Sequence, residues 1–285
     1  PPAAPKTSLP PALPPTTMPA ALPPVAELPS PPPQAASLPD IPVLKKPHVH
    51  SPSHKNGDEG IPFVGPRRRE AEAAQSSWNS IPHGYAEHEA DATALRLLMK
   101  ELQPEARKRD CDLTEGAFIL AAAAKTLHEH PEFNSHMDAD GRGMVLKRSC
   151  DLGVSLALGH TLIVPVVRDA PKKDLWTLAS ELGRLPARAR DHQIPEEELH
   201  GATFTTTFVP GAPARLVLPV IRRPETAALA VTRPAERAVV IGGGIHARWR
   251  MGLGLSYDLR CHDPFRAAAF LAALARRLEA PRSLS

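Results

Sequence analysis

A mixed α/β fold, an α+β sandwich with helices laid on a sheet, is what this 285-residue sequence predicts. Helical and extended patterns alternate loosely through the middle of the chain, and a run of strand-like segments follows late, a mixture that one sheet covered by helices accommodates. The patterned region runs from about Phe63 onward and comprises roughly 220 residues, enough for a single core. Before it, residues 1–43 hold 16 of the 34 prolines and show no period of 2 or 3.6.

The opening stretch has almost no charge, and proline fixes φ and removes backbone donors, so it is predicted to stay extended, solvated and semi-rigid. Residues 1–62 are assigned to this linker and residues 63–285 to a core domain. A linker at the very start implies a further domain upstream, and the chain reads as a fragment. His48, His50 and His54 near the linker's end resemble a metal tract, but no carboxylate or thiol lies close by, so a polar linker end is expected and no metal site.

Within the core region, "DATALRLLMKELQPEARKRD" has apolar residues at helical spacing, then Pro104 and a basic end. Thr114, with Ala117 and Phe118, opens a second helix, "EGAFILAAAAKTLHEH", that stops at Pro131. "MVLKRSCDLGVSLAL" and "TLIVPVVRDA" are strand-like, rich in Val, Ile and Leu. "KKDLWTLASELGRLPARARD" is amphipathic again. "GATFTTTFVP", "ARLVLPVIRRPE" and the long "AALAVTRPAERAVVIGGGIHARWRMGLGLSYDLR" supply further strands. The glycines of "IGGGIHAR" lack the order of a phosphate-binding loop and predict a hairpin turn instead. "DPFRAAAFLAALARRLEAP" closes the region as a helix.

The net charge of +3 is modest and basic residues are interspersed with acids; only "GPRRREAE" (Gly65 to Glu72) forms a basic run. This argues against nucleic-acid binding. No apolar run of 18 residues is present to span a membrane, and the opening lacks the layout of a signal peptide. Cys111, Cys150 and Cys261 are too few and too widely spaced for a disulfide framework or a CxxC metal site, which fits a reducing compartment.

Taken in order, "SWNSIPHGYAEHEAD", "LTEGAFILAAAAKTLHEHPEFNSHMD", "LIVPVVRDA", "ELHGATFTTT" and "LSYDLR" resemble the catalytic core of the dihydrolipoyl acyltransferases of 2-oxo acid dehydrogenase complexes. The resemblance runs from Pro66 to Pro281. It implies a chloramphenicol acetyltransferase-like mixed sheet with helices, assembled as trimers with sites between subunits. Coenzyme A enters such a site from one side and a lipoyl arm from the other. A histidine base takes the thiol proton, and a Ser or Thr hydroxyl of the neighbouring subunit bonds the oxyanion.

Carried onto this chain, that hydroxyl falls on Thr207. The family's closing motif, Asp-His-Arg-x-x-Asp-Gly, reads here Asp258-Leu259-Arg260-Cys261-His262-Asp263-Pro264. The base position therefore holds Leu259. Asp258 and Arg260 are kept as loop-shaping residues and Asp263 is kept at the catalytic turn, while Pro264 suits the first turn of a following helix. Phe208, Val209 and Pro210 after Thr207, and "ALGHT" (Ala157 to Thr161), also depart from the family in segments expected to line the channel. Core-packing motifs are intact. His262 is expected as a partly exposed loop histidine, Cys261 as a small buried thiol, and His83 as a packing and hydrogen-bonding residue.

The expected function is that of a non-catalytic core or scaffold subunit of a 2-oxo acid dehydrogenase complex, with pyruvate as the expected 2-oxo acid. It resembles in this the dihydrolipoyl dehydrogenase-binding component (protein X). The alternative is an active or weakly active acyltransferase moving an acyl group from dihydrolipoamide to coenzyme A. A homotrimer is expected, with an intact acyltransferase core, other subunits of the complex and dihydrolipoyl dehydrogenase as partners. Coenzyme A and the lipoyl group bind only if the channel functions. The expected compartment is a mitochondrial matrix or a bacterial cytoplasm.

Overall fold

Helix α1 (Gly65–Ser80) opens the part of the chain described by this computed structural model, which comprises residues 62–158, 161–209 and 214–284. The linker and its three histidines lie outside the described residues. The sequence shows only a basic run at α1, because this helix has no apolar stripe: Ser77 alone is buried. Its turns are held instead by pairs at helical spacing, Arg67 to Glu70 at 3.2 Å and Arg68 to Glu72 at 2.8 Å. Strand β1 (His83–Asp91), also unsignalled, pairs over its whole length with the last strand of the domain. Its charged "HGYAEHEAD" hides the strand pattern because it forms an edge, with one flank in water.

Helix α2 (Thr93–Lys108) runs straight through Pro104 to its basic end. Helix α3 (Glu115–Glu129) is buried along most of its length, from Ala117 to Leu127. The predicted strand "MVLKRSCDLGVSLAL" divides in two. After β2 (Ser135–Met137), its first part is β3 (Met144–Leu146), which closes a separate two-stranded ribbon with β2, and its second is β4 (Leu152–Leu158). The next predicted strand also divides, into β5 (Thr161–Ile163) and β6 (Val166–Val167). Helix α4 (Leu175–Arg190) begins at Asp174, whose side chain accepts the amide of Thr177 at 2.8 Å.

The later strands are β7 (Phe204–Val209), β8 (Ala227–Thr232), β9 (Ala235–Ile241) and the 15-residue β10 (Gly244–Asp258), followed by helix α5 (Pro264–Glu279). Between β9 and β10 the expected glycine turn is present, with φ of 57° at Gly242 and 83° at Gly243, a left-handed pair that glycine adopts without strain. Among the described residues the main sheet has the order β1-β10-β8-β7-β4-β5, with β6 on β4 and β9 on β10. The β4–β7 and β7–β8 pairings are parallel and the others antiparallel, so the predicted mixed sheet with helices is the observed architecture.

The two faces of this sheet differ in kind. One carries Val154, Phe204, Leu229, Val231, Met251, Leu253 and Leu255, which pack with α3 and α5 residues such as Phe118, Leu127, Phe270 and Leu274 into the core. Alternation puts small and hydroxyl residues on the other. There Gly153, Thr205, Ala228 and Ser256 stand in one register row, and Ser155, Thr207, Ala230 and Gly254 in the next. The predicted strand "ARLVLPVIRRPE" is not a strand. It crosses this face: a Cβ on Gly252 or Gly254 would stand 2.0 Å from the carbonyl oxygen of Arg215 or 2.2 Å from that of Val217. Only glycine permits so close a backbone approach. Pro219 and Pro224 withhold donors that a ladder would need. No helix among the described residues is long and apolar enough to cross a membrane.

Candidate functional site

The turn that ends β10 is built around a buried carboxylate. Asp258 has no solvent exposure, and its two oxygens accept from Nε and Nη2 of Arg260 at 2.9 and 2.6 Å. Oδ1 also accepts the amide of Arg260 at 3.0 Å, and the carbonyl of Asp258 accepts the amides of Cys261 and His262, each at 2.9 Å. A buried charge needs such pairing, so Asp258 and Arg260 shape the loop as the sequence implied. Between them, Leu259 is tied by its amide to the carbonyl of Pro82 at 2.9 Å, yet its side chain is 52 % exposed. It lies over Gly84 at the β1 edge of the sheet.

Asp263 is the N-cap of α5, its Oδ1 accepting the amides of Phe265 and Arg266, both at 2.9 Å. Pro264 opens the helix, as the sequence suggested. Phe265, on that first turn, is 84 % exposed. Leu259 puts an apolar side chain where proton transfer would need a titratable group, and Phe265 exposes another on the first turn of α5.

Thr207 stands on the small-residue face, where its hydroxyl donates to Ser155 Oγ at 3.0 Å. Both line a cavity of about 560 Å³ between the sheet, α1 and the 219–223 segment. Its other lining includes Thr205, Ser77, Leu162, Val164, Val220, Ile221, Arg222 and Arg223. Thr207 pairs through Ala230 with Gly254, and Leu259 lies five residues beyond Gly254. Strands about 4.8 Å apart rising about 3.4 Å per residue put the two positions roughly 20 Å apart within one chain. The structure therefore does not bring Thr207 and the base position together in a single copy.

His262 departs from expectation. It is buried, not partly exposed, with its ring stacked on Phe133 at 4.3 Å and Nε2 at 3.0 Å from Thr226 Oγ1. Its Nδ1 has no partner among the described residues, and burial pushes its pKa down to about 4. It is turned into the core and, with so low a pKa, is a weak proton acceptor, so it does not replace the missing base. Cys261 is half-buried, and burial foremost raises its thiol to about 11. His83 packs against Trp78 and Tyr85, with Nδ1 at 2.8 Å from the Ile81 carbonyl and Nε2 accepting the Ile221 amide at 3.2 Å. Both nitrogens are engaged, which is the packing role expected of it.

The sequence did not single out Glu225. It is buried behind the cavity, Oε1 accepting from the Thr205 hydroxyl at 2.8 Å and Oε2 unpartnered among the described residues. Burial raises its pKa to about 7. The available signal was a lone acid between proline and an apolar run, "PETAALAV".

Phe208, the first departure after Thr207, points to the helix side of the sheet, where it lines a second cavity of about 500 Å³. Ile119, Val154, Leu156, Leu182 and Val231 form its apolar wall, and its charged residues are Asp112, Glu115 and Arg233. Pro210 and part of "ALGHT" lie outside the described residues. Among those described, no cluster of His, Cys, Asp or Glu is arranged to hold a metal ion.

The family described as 2-oxoacid dehydrogenases acyltransferase (catalytic domain) matches residues 55–285. The chain is 32% identical over 232 residues to the lipoamide acyltransferase component of a branched-chain alpha-keto acid dehydrogenase complex from Pseudomonas aeruginosa, covering 81% of this chain and 54% of that protein. It is 31% identical over 194 residues to the dihydrolipoyllysine-residue acetyltransferase component of a pyruvate dehydrogenase complex from Cupriavidus necator, covering 68% of this chain and 35% of that protein. It thus spans about half or less of the length of these curated relatives. Among solved structures, it superposes with a TM-score of 0.77 and 29% identity on an Azotobacter vinelandii dihydrolipoamide acetyltransferase, covering 80% of this chain and 93% of that one. In that enzyme a serine, a histidine 52 residues after it and an asparagine four residues further on were probed for their roles in catalysis. The cubic core of a pyruvate dehydrogenase multienzyme complex matches with the same TM-score, 0.77, at 27% identity over 88% of this chain and 99% of that one.

Proposed function

The chain belongs to the 2-oxoacid dehydrogenases acyltransferase (catalytic domain) family, and from that premise we propose that it is a non-catalytic core subunit of a 2-oxo acid dehydrogenase complex. One observation carries this reading. Thr207 precedes Leu259 by 52 residues and Asp263 follows Leu259 by four, the spacing of the serine, histidine and asparagine probed in the Azotobacter enzyme. The histidine's place thus falls on a leucine, which neither takes nor gives a proton. A positioned base is worth roughly 10²–10⁴ in rate.

The neighbourhood supports the same conclusion. Burial leaves His262 a weak proton acceptor inside the core and keeps Cys261 from ionising readily, and neither supplies a substitute base. The cavity beside Phe208 is walled by apolar side chains with two acids against one arginine, poor surroundings for the phosphates of coenzyme A. The roughly 20 Å between Thr207 and Leu259 supports an assembly in which these positions meet between copies. A homotrimer is the reading adopted. The resemblance to protein X suggests that it works beside an intact acyltransferase and binds dihydrolipoyl dehydrogenase through a separate domain. The bacterial relatives favour a bacterial cytoplasm over a mitochondrial matrix, and they include both branched-chain and pyruvate complexes.

A second reading, residual acyl transfer, is favoured by the retained Thr207 hydroxyl, which still opens into a cavity. A single assay separates the two. Transfer of an acetyl group from acetyl-dihydrolipoamide to coenzyme A should run at least about 10²-fold slower than with an intact relative. Leu259→His should restore little, since Phe208 and Phe265 still reshape the surroundings. Turnover within tenfold of an intact relative would refute the non-catalytic reading.

A further inference from the structure

The cavity beside Phe208 lies where the three mutually parallel strands end. Leu156 of β4, Phe208 and Val209 of β7, and Val231 and Thr232 of β8 all stand near the carboxyl ends of their strands and line it. Chains that leave neighbouring parallel strands open a crevice at that end, and apolar crevices of roughly 300–1,000 Å³ with few polar groups suit small molecules. Helices α3 and α4 close this one through Ile119 and Leu182. Its volume is about 500 Å³. At roughly 30 Å³ for a group the size of a water molecule, that holds about twelve carbons with a small head group. Two of the wall residues, Phe208 and Val209, belong to the departure from the family pattern after Thr207.

The charges at the mouth select the head group. Glu115 is already paired with Arg96, at 3.6 Å. Asp112 also borders an adjoining cleft that holds Asp110, Arg107 and Arg184. Across the two openings Arg107, Arg184 and Arg233 thus face Asp110 and Asp112, and none of these five forms an ion pair among the described residues. Three arginines against two aspartates leave one positive charge over. Arg233 is exposed at the rim of the apolar cavity, and a guanidinium presents a planar fork that matches a carboxylate. One spare charge suits a single carboxylate and not a string of phosphates.

We infer that this cavity is a binding site for a medium-chain alkyl carboxylate, its chain against Ile119, Leu156, Leu182 and Phe208 and its carboxylate on Arg233. Each buried methylene contributes about 0.8 kcal/mol to such binding, so the walls favour chain length and the arginine favours the charge. The cavity opens on the opposite face of the sheet from Thr207. The inference therefore goes beyond the function proposed above and holds whether or not the chain transfers acyl groups.

Isothermal titration calorimetry of the full chain tests it, with dodecanoate, hexanoate and dodecanol as probes, each kept below the concentration at which it aggregates. Dodecanoate should saturate one site per chain, and hexanoate, six methylenes shorter, should bind at least about a hundredfold more weakly. Arg233→Gln should weaken dodecanoate at least about tenfold and leave dodecanol unchanged, because only the carboxylate uses the guanidinium. Phe208→Asn, which sets an amide in the apolar wall, should weaken both long probes at least about tenfold, and Phe208→Leu should weaken them less. Circular dichroism checks that each variant is folded, and the exposed position of Arg233 keeps the test decisive if Phe208→Asn is not. Absence of a saturable site for dodecanoate overturns the inference. So does dodecanoate binding that Arg233→Gln leaves unchanged, since the carboxylate would then lie elsewhere.

Discussion

A buried carboxyl and a buried imidazole pull stability in opposite directions with pH. Glu225 titrates at about 7 in the folded protein against an ordinary 4.5, so between these values the folded state keeps a proton that the unfolded chain has lost, and stability falls as pH rises. His262 titrates at about 4 against an ordinary 6.5, so the unfolded chain holds the extra proton there, and stability rises with pH until about 6.5. Their slopes cancel from about 4.5 to 6.5, leaving a loss between 6.5 and 7. Glu225→Gln keeps an acceptor for Thr205 and removes only the carboxyl's slope. Its urea midpoint relative to the parent should therefore climb from pH 5 to pH 7 and level off by pH 8. A difference that stays constant with pH would contradict the assignment. At this scale the sequence was readable where a motif put partners close together in the chain, as with Asp258 and Arg260. His262 and Glu225 were not, because burial depends on what the chain packs over them, Phe133 in one case and the β7 threonines in the other.

Elements with an apolar face were legible and those without one were not. The helices α3 and α5 bury a continuous flank and are evident in the sequence, as is the β9–β10 turn with its paired glycines. Helix α1 and strand β1 escape because their stability comes from ion pairs in one case and from pairing along a charged edge in the other. The "ARLVLPVIRRPE" segment deceives for the opposite reason: it has strand composition, but it lies across glycines instead of beside a strand. Asp263 shows how an element reassigns a residue, since the carboxylate implied at the catalytic turn is committed to the amides that open α5. Asp263→Ala should cost about 1 kcal/mol, as lost N-caps do, and Asp263→Asn should restore most of it. For a domain of this size that is roughly 2–4 °C of melting temperature. An Asn variant no more stable than Ala would show that the cap is not what Asp263 contributes.

On the scale of the whole molecule, the core described between residues 62 and 284 packs α2, α3, α4 and α5 on one face of one sheet. The proline-rich opening is read as a tether. Deleting residues 1–60 should therefore leave the melting temperature nearly unchanged and lower the trimer's mass by three tethers and no more. A drop of several degrees in the truncated protein would mean that the tether packs against the core. Composition suggested that division, but composition says nothing about which copies touch.

The pairing of β1 with β10 has a further consequence, in time instead of space. His83 meets Asp258, so the strand made early in synthesis waits for its partner while some 170 intervening residues emerge, and until then its backbone groups are unpaired. The same pairing seats Leu259 over Gly84, so this corner is complete only after β10 has been made. A nascent chain cannot present that corner before the strands behind it are in place. The turn that carries Leu259 thereby comes into being only when the strands that must support it are finished.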